Sequence, residues 1–234
     1  MIISRLHNNR KFHNWLIYDI GDEWIKKFPE KYKGSLYDLG CGEMPYKSWL
    51  LNYADKYIGV DWGSTLHELK ADILTDLNEP LPIESEVADT VFSISVMEHL
   101  CEPQVFLNEA HRILKPGGSI VLQVPFMWWV HEAPHDYYRY TNYGLQYMFE
   151  KAGFTDITIF PQTGFWVMLT MKFNYQCRRL IVGPLLIRKP IELLMRGIWA
   201  IDQWIAPWLD KHWKCESETA GYFVVASKKP KFLK

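Results

Sequence analysis

Apolar side chains recur at helical spacing from Phe12 to Phe28, in FHNWLIYDIGDEWIKKF, and this predicts a helix ahead of the first strand. Short apolar runs then alternate with polar stretches. SLYDLGC predicts a strand, KYIGVDW a second after a polar, helix-compatible segment, and LKADILT a third. An acidic, proline-bearing loop follows, and TVFSISV predicts a further strand. In MEHLCEPQVFLNEAHRILKPGG the residues Val105, Phe106, Ala110, Ile113 and Leu114 mark one helical face, with Pro116-Gly117-Gly118 expected to end that helix in a tight turn. SIVLQVPF predicts a strand, TNYGLQYMFEKAGF a helix capped by Thr141 or Asn142 and stopped by Gly153, and TDITIFP another strand. Strand and helix alternate as far as residue 160, which predicts an α/β fold built on a parallel, doubly wound sheet.

The last strand, GYFVVASKK, follows only after a long segment rich in Trp, Leu, Ile, Lys and Arg. Pro184, Pro190 and Pro207 are expected to break that segment into several short helices. The organisation expected is a single domain over 1–234, with an N-terminal helical segment over 1–33 and a Trp-rich helical insertion over 165–215.

The formal charge of -1 and a pI near 6.7 supply no basic field, so no nucleic-acid partner is expected. Cys41, Cys101, Cys177 and Cys215 have no paired spacing, which argues against a zinc site or a disulfide framework and fits a reducing compartment. With no signal-peptide core and no long apolar run, the expected location is cytoplasmic. The 11 Trp residues are a high load, and much of it falls late in the chain.

The chemistry starts at Asp38-Leu39-Gly40-Cys41-Gly42, at the end of the first predicted strand. Glycines there let a turn backbone approach a ligand closely. A dinucleotide fingerprint requires a third glycine three residues after Gly42, where this chain has Pro45, and an Asp ahead of the glycines suits a cofactor that carries positive charge.

From YDLGCG through EAHRILKPGGSIVLQVP, the chain resembles the class I S-adenosylmethionine-dependent methyltransferases, over residues 30 to 160 and the last strand. The resemblance implies a Rossmann-like sheet, mostly parallel with a C-terminal antiparallel strand. It implies S-adenosylmethionine as cofactor and S-adenosylhomocysteine as product. It places Asp38, Gly40, Cys41 and Gly42 under the methionine end, Asp61 on both ribose hydroxyls, Trp62 over the adenine face, Asp72 at the adenine amine and Ile73 against the ring. It also implies that Glu98-His99 shapes the cofactor pocket, with Ser95 and His99 lining it. Some relatives that methylate quinone hydroxyls use such a pair in a magnesium site, but its further acidic ligand falls at Ser95, so no metal is expected. Many members carry a third glycine where this chain has Met44.

The acceptor side is expected in WWVHEAPHDYYRYT, residues 128–141, just past the fifth strand. A histidine is a natural base for a hydroxyl acceptor. His131 and His135 are the base candidates, Asp136 orients one of them, and Arg139 binds an anionic or hydroxyl-rich acceptor. A similar run occurs in methyltransferases of bacterial glycan assembly, which implies O-methylation of a sugar hydroxyl in a glycan or its nucleotide- or lipid-linked precursor. A small-molecule or lipid-quinone O-methyltransferase is the alternative, and a non-catalytic partner protein of the same fold is the alternative of another class. The insertion is expected to cap the acceptor site or form a homodimer face. Alternatively, its Trp and Arg/Lys residues touch a membrane surface.

Overall fold

The computed structural model of the chain describes residues 3–63 and 70–231, so Leu69, which opens the expected third strand, and the ends of the terminal segments lie outside the described residues. The chain divides into two compact units, Lys26–Phe160 with Gly221–Lys234, and Met1–Ile25 with Pro161–Ala220.

The first unit is built on a seven-stranded sheet. Its strands are β1 (Ser35–Leu39), β2 (Lys56–Asp61), β3 (Ile73–Leu74), β4 (Ala88–Ile94), β5 (Leu114–Pro125), β6 (Phe154–Pro161) and β7 (Gly221–Lys228). Their order across the sheet is β3-β2-β1-β4-β5-β7-β6. The pairs β1/β2, β2/β3, β1/β4 and β4/β5 are parallel, and β7 runs antiparallel to β5. The mostly parallel sheet and its reversed C-terminal strand meet the expectation. Central strands covered on both faces need near-continuous apolar sequence, and Leu36, Leu39, Val60, Val91, Phe92 and Leu122 are all fully buried.

The helices of this unit are α2 (Lys47–Leu50), α3 (Pro103–Ile113) and α4 (Asn142–Ala152). Thr141 caps α4, its hydroxyl accepting from Gly144 N at 3.1 Å, and Gly153 ends it at φ +94°. At α3 the structure departs from expectation. The helix stops at Ile113, Leu114 is already extended, and Pro116-Gly117-Gly118 lies within β5 as an irregularity between the pairs Ala88/Leu114 and Thr90/Ser119. The chain enters the sheet before the glycines because Leu114, fully buried, already pairs with Ala88.

The second unit gathers α1 (Trp15–Lys26), α5 (Phe165–Leu180) and α6 (Leu185–His212). Here too expectation fails, because Pro190 and Pro207 lie inside one 28-residue helix. An interior proline removes one helical hydrogen bond and costs about 3 kcal/mol, which tertiary contacts offset. Trp199, Gln203 and Ala206 are buried, and the Gln203 amide accepts from Leu16 N at 3.1 Å and donates to Phe12 O at 3.0 Å. Asp210 closes the start of α5, which has no capping side chain of its own. Its carboxylate accepts from Gly164 N at 2.9 Å, Trp166 N at 2.8 Å and Val167 N at 3.2 Å. An Asp210→Ala variant should therefore lose about 1–2 kcal/mol in denaturant unfolding, the usual scale for deleting a cap.

Candidate active site

The strand order reverses between β2 and β4 on either side of β1, and in such sheets ligands bind outside the carboxyl ends of the strands at that point. Gly40 follows β1 at φ +83°, and its N–H donates to Val60 O at 2.8 Å. A Cβ at Gly40 would lie 2.3 Å from Val96 Cγ2, so this turn tolerates no side chain. The turn is tied to the next strand by Asp61. One carboxylate oxygen accepts from Gly42 N at 2.7 Å and the other from Trp62 N at 2.8 Å. Each carboxylate oxygen carries two acceptor sites, so Asp61 holds the turn and keeps acceptor capacity for a pair of hydroxyls.

Asp38 is buried at the end of β1 and takes a short hydrogen bond from the Tyr57 hydroxyl. Burial lifts its carboxyl to about 7 despite that bond. Tyr57 escapes a reading of spacing alone, since only the β1/β2 register brings it to Asp38. Cys41 is buried, and burial first, then the Asp38 charge, raises its thiol pKa. Asp72 is exposed, with one oxygen accepting from Gly59 N at 2.8 Å, and Ile73 stands beside it at the start of β3. Ser95, exposed and at φ +55°, donates through its hydroxyl to Gln123 Oε1 at 2.6 Å.

The loop past β5 folds back onto this end of the sheet. Tyr137 N and Tyr138 N both donate to Glu98 O, at 2.9 and 3.2 Å, and Tyr140 Oη donates to Met97 O at 2.9 Å. His135 packs edge-on against Trp62, with ring centroids 5.1 Å apart, and its carbonyl lies 2.6 Å from His99 Nδ1. The two expected clusters therefore meet, with Trp62 and His99 as the points of contact.

Within the loop, His131, Asp136 and Arg139 interlock. Asp136 Oδ2 lies 3.3 Å from His131 Nδ1 and accepts from His131 N at 2.8 Å. Burial would raise the Asp136 carboxyl, but the hydrogen bonds from Arg139 and from His131 N pull it down to about 2. The expected role of Arg139 at the acceptor is corrected here. A guanidinium has five N–H donors, and those of Arg139 go to both Asp136 oxygens and to the carbonyls of Trp128, Trp129 and Tyr138. Arg139 is spent on holding Asp136 and the loop.

The feature least legible from spacing is Glu98. It has no exposed surface, and among the described residues neither carboxylate oxygen has a hydrogen-bond partner. Burial lifts it to about 8. Two ring nitrogens face its Oε1, His99 Nε2 at 3.7 Å and His131 Nε2 at 3.9 Å. His99 Nδ1 lies against His135 O, while His131 Nδ1 lies among Asp136 Oδ2, Trp129 O and the Arg139 guanidinium, the last at 3.4 Å. Glu98, His99 and His131 thus converge as three donors that could hold a metal ion, where the sequence led to none being expected.

Residues 37–122 match the methyltransferase domain family. A probable S-adenosylmethionine-dependent methyltransferase of Mycolicibacterium smegmatis is 30% identical over 94 residues, 38% of this chain and 37% of that protein. The ubiquinone biosynthesis O-methyltransferase of Pseudomonas paraeruginosa is 24% identical over 113 residues, 42% of this chain and 47% of that protein. The chain thus spans less than half the length of either curated relative. Among solved structures, phosphoethanolamine N-methyltransferase 2 of Haemonchus contortus, in complex with S-adenosylmethionine, superposes with a TM-score of 0.57 at 18% identity. That superposition covers 94% of this chain and 56% of that one, and it is a likeness of fold. These likenesses are all to methyltransferases, and the family match runs from within β1 to within β5, the stretch that carries the glycine turn, Asp61 and Glu98-His99.

Proposed function

We propose that the protein transfers a methyl group from S-adenosylmethionine to an oxygen of a hydroxyl-bearing acceptor, with a sugar of a glycan or its precursor as the leading class. The observation that carries this reading is the His131–Asp136 pair. Asp136, fixed by Arg139, holds the Nδ1 side of His131 and leaves Nε2 as the basic face. Burial, then the neighbouring His99, lowers the His131 pKa, so the ring is neutral near pH 7, the form a base requires. In the step itself the acceptor oxygen bonds to the methyl carbon as the carbon–sulfur bond breaks. The hydroxyl proton passes to His131 Nε2, and the sulfonium leaves as the neutral thioether of S-adenosylhomocysteine. The protein contributes alignment and proton removal. The sugar class is favoured by the stacked Trp128/Trp129 pair, 4.1 Å between centroids, and by the exposed Tyr137 and Tyr138, since aromatic faces suit the apolar faces of sugar rings.

Transfer of labelled methyl into an extract of the source cells, then partition between water and organic solvent, tests the acceptor. Label on a water-soluble saccharide supports the sugar reading. Label on an organic-phase quinone replaces it with the lipid-quinone reading, in line with the name of the Pseudomonas relative.

On the cofactor side, Asp38 is assigned the ammonium group of S-adenosylmethionine. Its raised pKa makes the free protein bind a proton there below about pH 7, and the cofactor must expel it. Affinity for S-adenosylhomocysteine should fall about tenfold for each pH unit below 7 and level off above it. Calorimetric titration from pH 5.5 to 8.5 checks this, and an Asp38→Asn variant should bind weakly with no such slope. The same shift has a sign for stability: a carboxyl raised in the fold favours the folded state in acid, so its contribution declines as pH rises from about 4 to about 7.

A second reading is favoured by the unpartnered Glu98. A divalent ion held by Glu98, His99 and His131 would satisfy the buried carboxylate and activate the acceptor hydroxyl directly. Ligand atoms about 2.0–2.2 Å from an ion stand about 3.0–3.5 Å from one another, so the 3.7 and 3.9 Å separations would close by about half an ångström. Titration with Mn(II), followed by water proton relaxation, should detect one site that Glu98→Gln removes. Absence of binding, with turnover indifferent to chelator, leaves His131 as the base.

A further inference from the structure

The outer face of α6 is the most anomalous surface among the described residues. At 3.6 residues per turn, Glu192, Met195, Trp199, Asp202, Ala206 and Asp210 form one stripe, and each of these positions is buried or half-buried. The opposite stripe holds Leu186, Leu193, Ile201, Trp204 and Trp208, exposed by 89%, 73%, 61%, 78% and 53%. Side chains of that size at that exposure, in register over six turns, exceed the scattered apolar residues of an ordinary surface. A helix of this kind is apolar on two faces, and only one is used within its unit.

Charge identifies the occupant. All three carboxylates of α6 lie on the inner stripe: Glu192 is 3.5 Å from Arg188, Asp202 accepts from Asn174 at 3.2 Å, and Asp210 caps α5. The outer stripe has none. Lys189, Arg196 and Lys211 fall along one flank of it, and the Arg196 guanidinium lies against the Phe12 ring at 5.8 Å. Near the C-terminal end Trp204, Ile205 and Trp208 line an apolar groove of about 450 Å³. Trp rings beside a cationic flank are the makeup of a helix lying at headgroup depth on an anionic leaflet. A second copy of the chain would bring the same cations against themselves or leave them facing solvent, and would gain nothing from them. No helix among the described residues is long and apolar enough to cross a membrane, so the geometry is that of lying on the surface.

We propose that the outer face of α6 docks on an anionic lipid bilayer. The inference is independent of the reaction proposed above. Its test is flotation of the full chain with vesicles of phosphatidylcholine alone and of phosphatidylcholine with roughly a third phosphatidylglycerol, with tryptophan emission recorded in parallel. The expected result is flotation with the anionic vesicles, a blue-shifted emission, and at least about a tenfold lower bound fraction at high salt. Trp204→Glu/Trp208→Glu should abolish binding, and Lys189→Glu/Arg196→Glu should reduce it about tenfold or more, with far-ultraviolet circular dichroism unchanged because these side chains are exposed. Failure to bind either vesicle overturns the proposal, as does equal binding to both, or binding that survives the tryptophan substitutions. A stable dimer by light scattering, with no flotation, assigns the face to a second copy instead.

Discussion

An Asp61→Ala variant is expected to bind S-adenosylhomocysteine on the order of 30- to 1000-fold more weakly, the equivalent of about 2–4 kcal/mol for a buried charged acceptor that loses its bonds. Two losses combine in that figure. The family resemblance implies that Asp61 takes the ribose hydroxyls, and its carboxylate also accepts from Gly42 N and Trp62 N, so its removal releases the turn from the end of β2. Asp61→Asn separates the two. An amide keeps one acceptor oxygen and can retain one backbone tie, so it should recover part of the affinity. Isothermal titration gives the binding constants, and thermal unfolding without ligand reports whether the turn itself has loosened. Unchanged affinity in the alanine variant would remove Asp61 from the cofactor site.

The parts of this fold that could be read in the sequence are those whose signal is local. Thr141 and Gly153 announce the ends of α4 because a cap and a left-handed stop act within a few residues. The strand runs are legible because parallel strands buried on both faces must be apolar nearly throughout. The long α6 was not, because its two prolines carry a local penalty while the compensation comes from Gln203 and its partners on a segment almost two hundred residues earlier. The candidate site divides in the same way. Asp38 and the glycine turn stand together in the sequence, and Asp61 is singled out by the family resemblance. The use of Arg139 as a latch on Asp136 depends on how the 128–141 loop closes, and the convergence of Glu98, His99 and His131 depends on two chain segments some thirty residues apart folding onto one another.

The largest effect on turnover is expected from His131→Ala, a loss of roughly a hundredfold to ten-thousandfold with cofactor affinity within about a factor of two of the parent. The ring stands between Asp136, which takes its Nδ1 side, and Glu98, which its Nε2 faces. Asp136→Asn should cost less, about tenfold to a hundredfold, because the histidine remains but its tautomer is no longer held. His135→Ala should be milder still. That ring lies edge-on to Trp62 with its Nδ1 3.2 Å from Tyr137 Oη, and among the described residues no carboxylate pairs with it to orient it as a base. Single-turnover transfer of labelled methyl, measured beside S-adenosylhomocysteine binding, separates chemistry from affinity in all three variants. If His131→Ala keeps the full rate, proton removal belongs to another group. If its loss is matched by Glu98→Gln and by chelator on the parent protein, His131 acts as an ion ligand. A large loss in His131→Ala with chelator having no effect is the signature of a base held by Asp136.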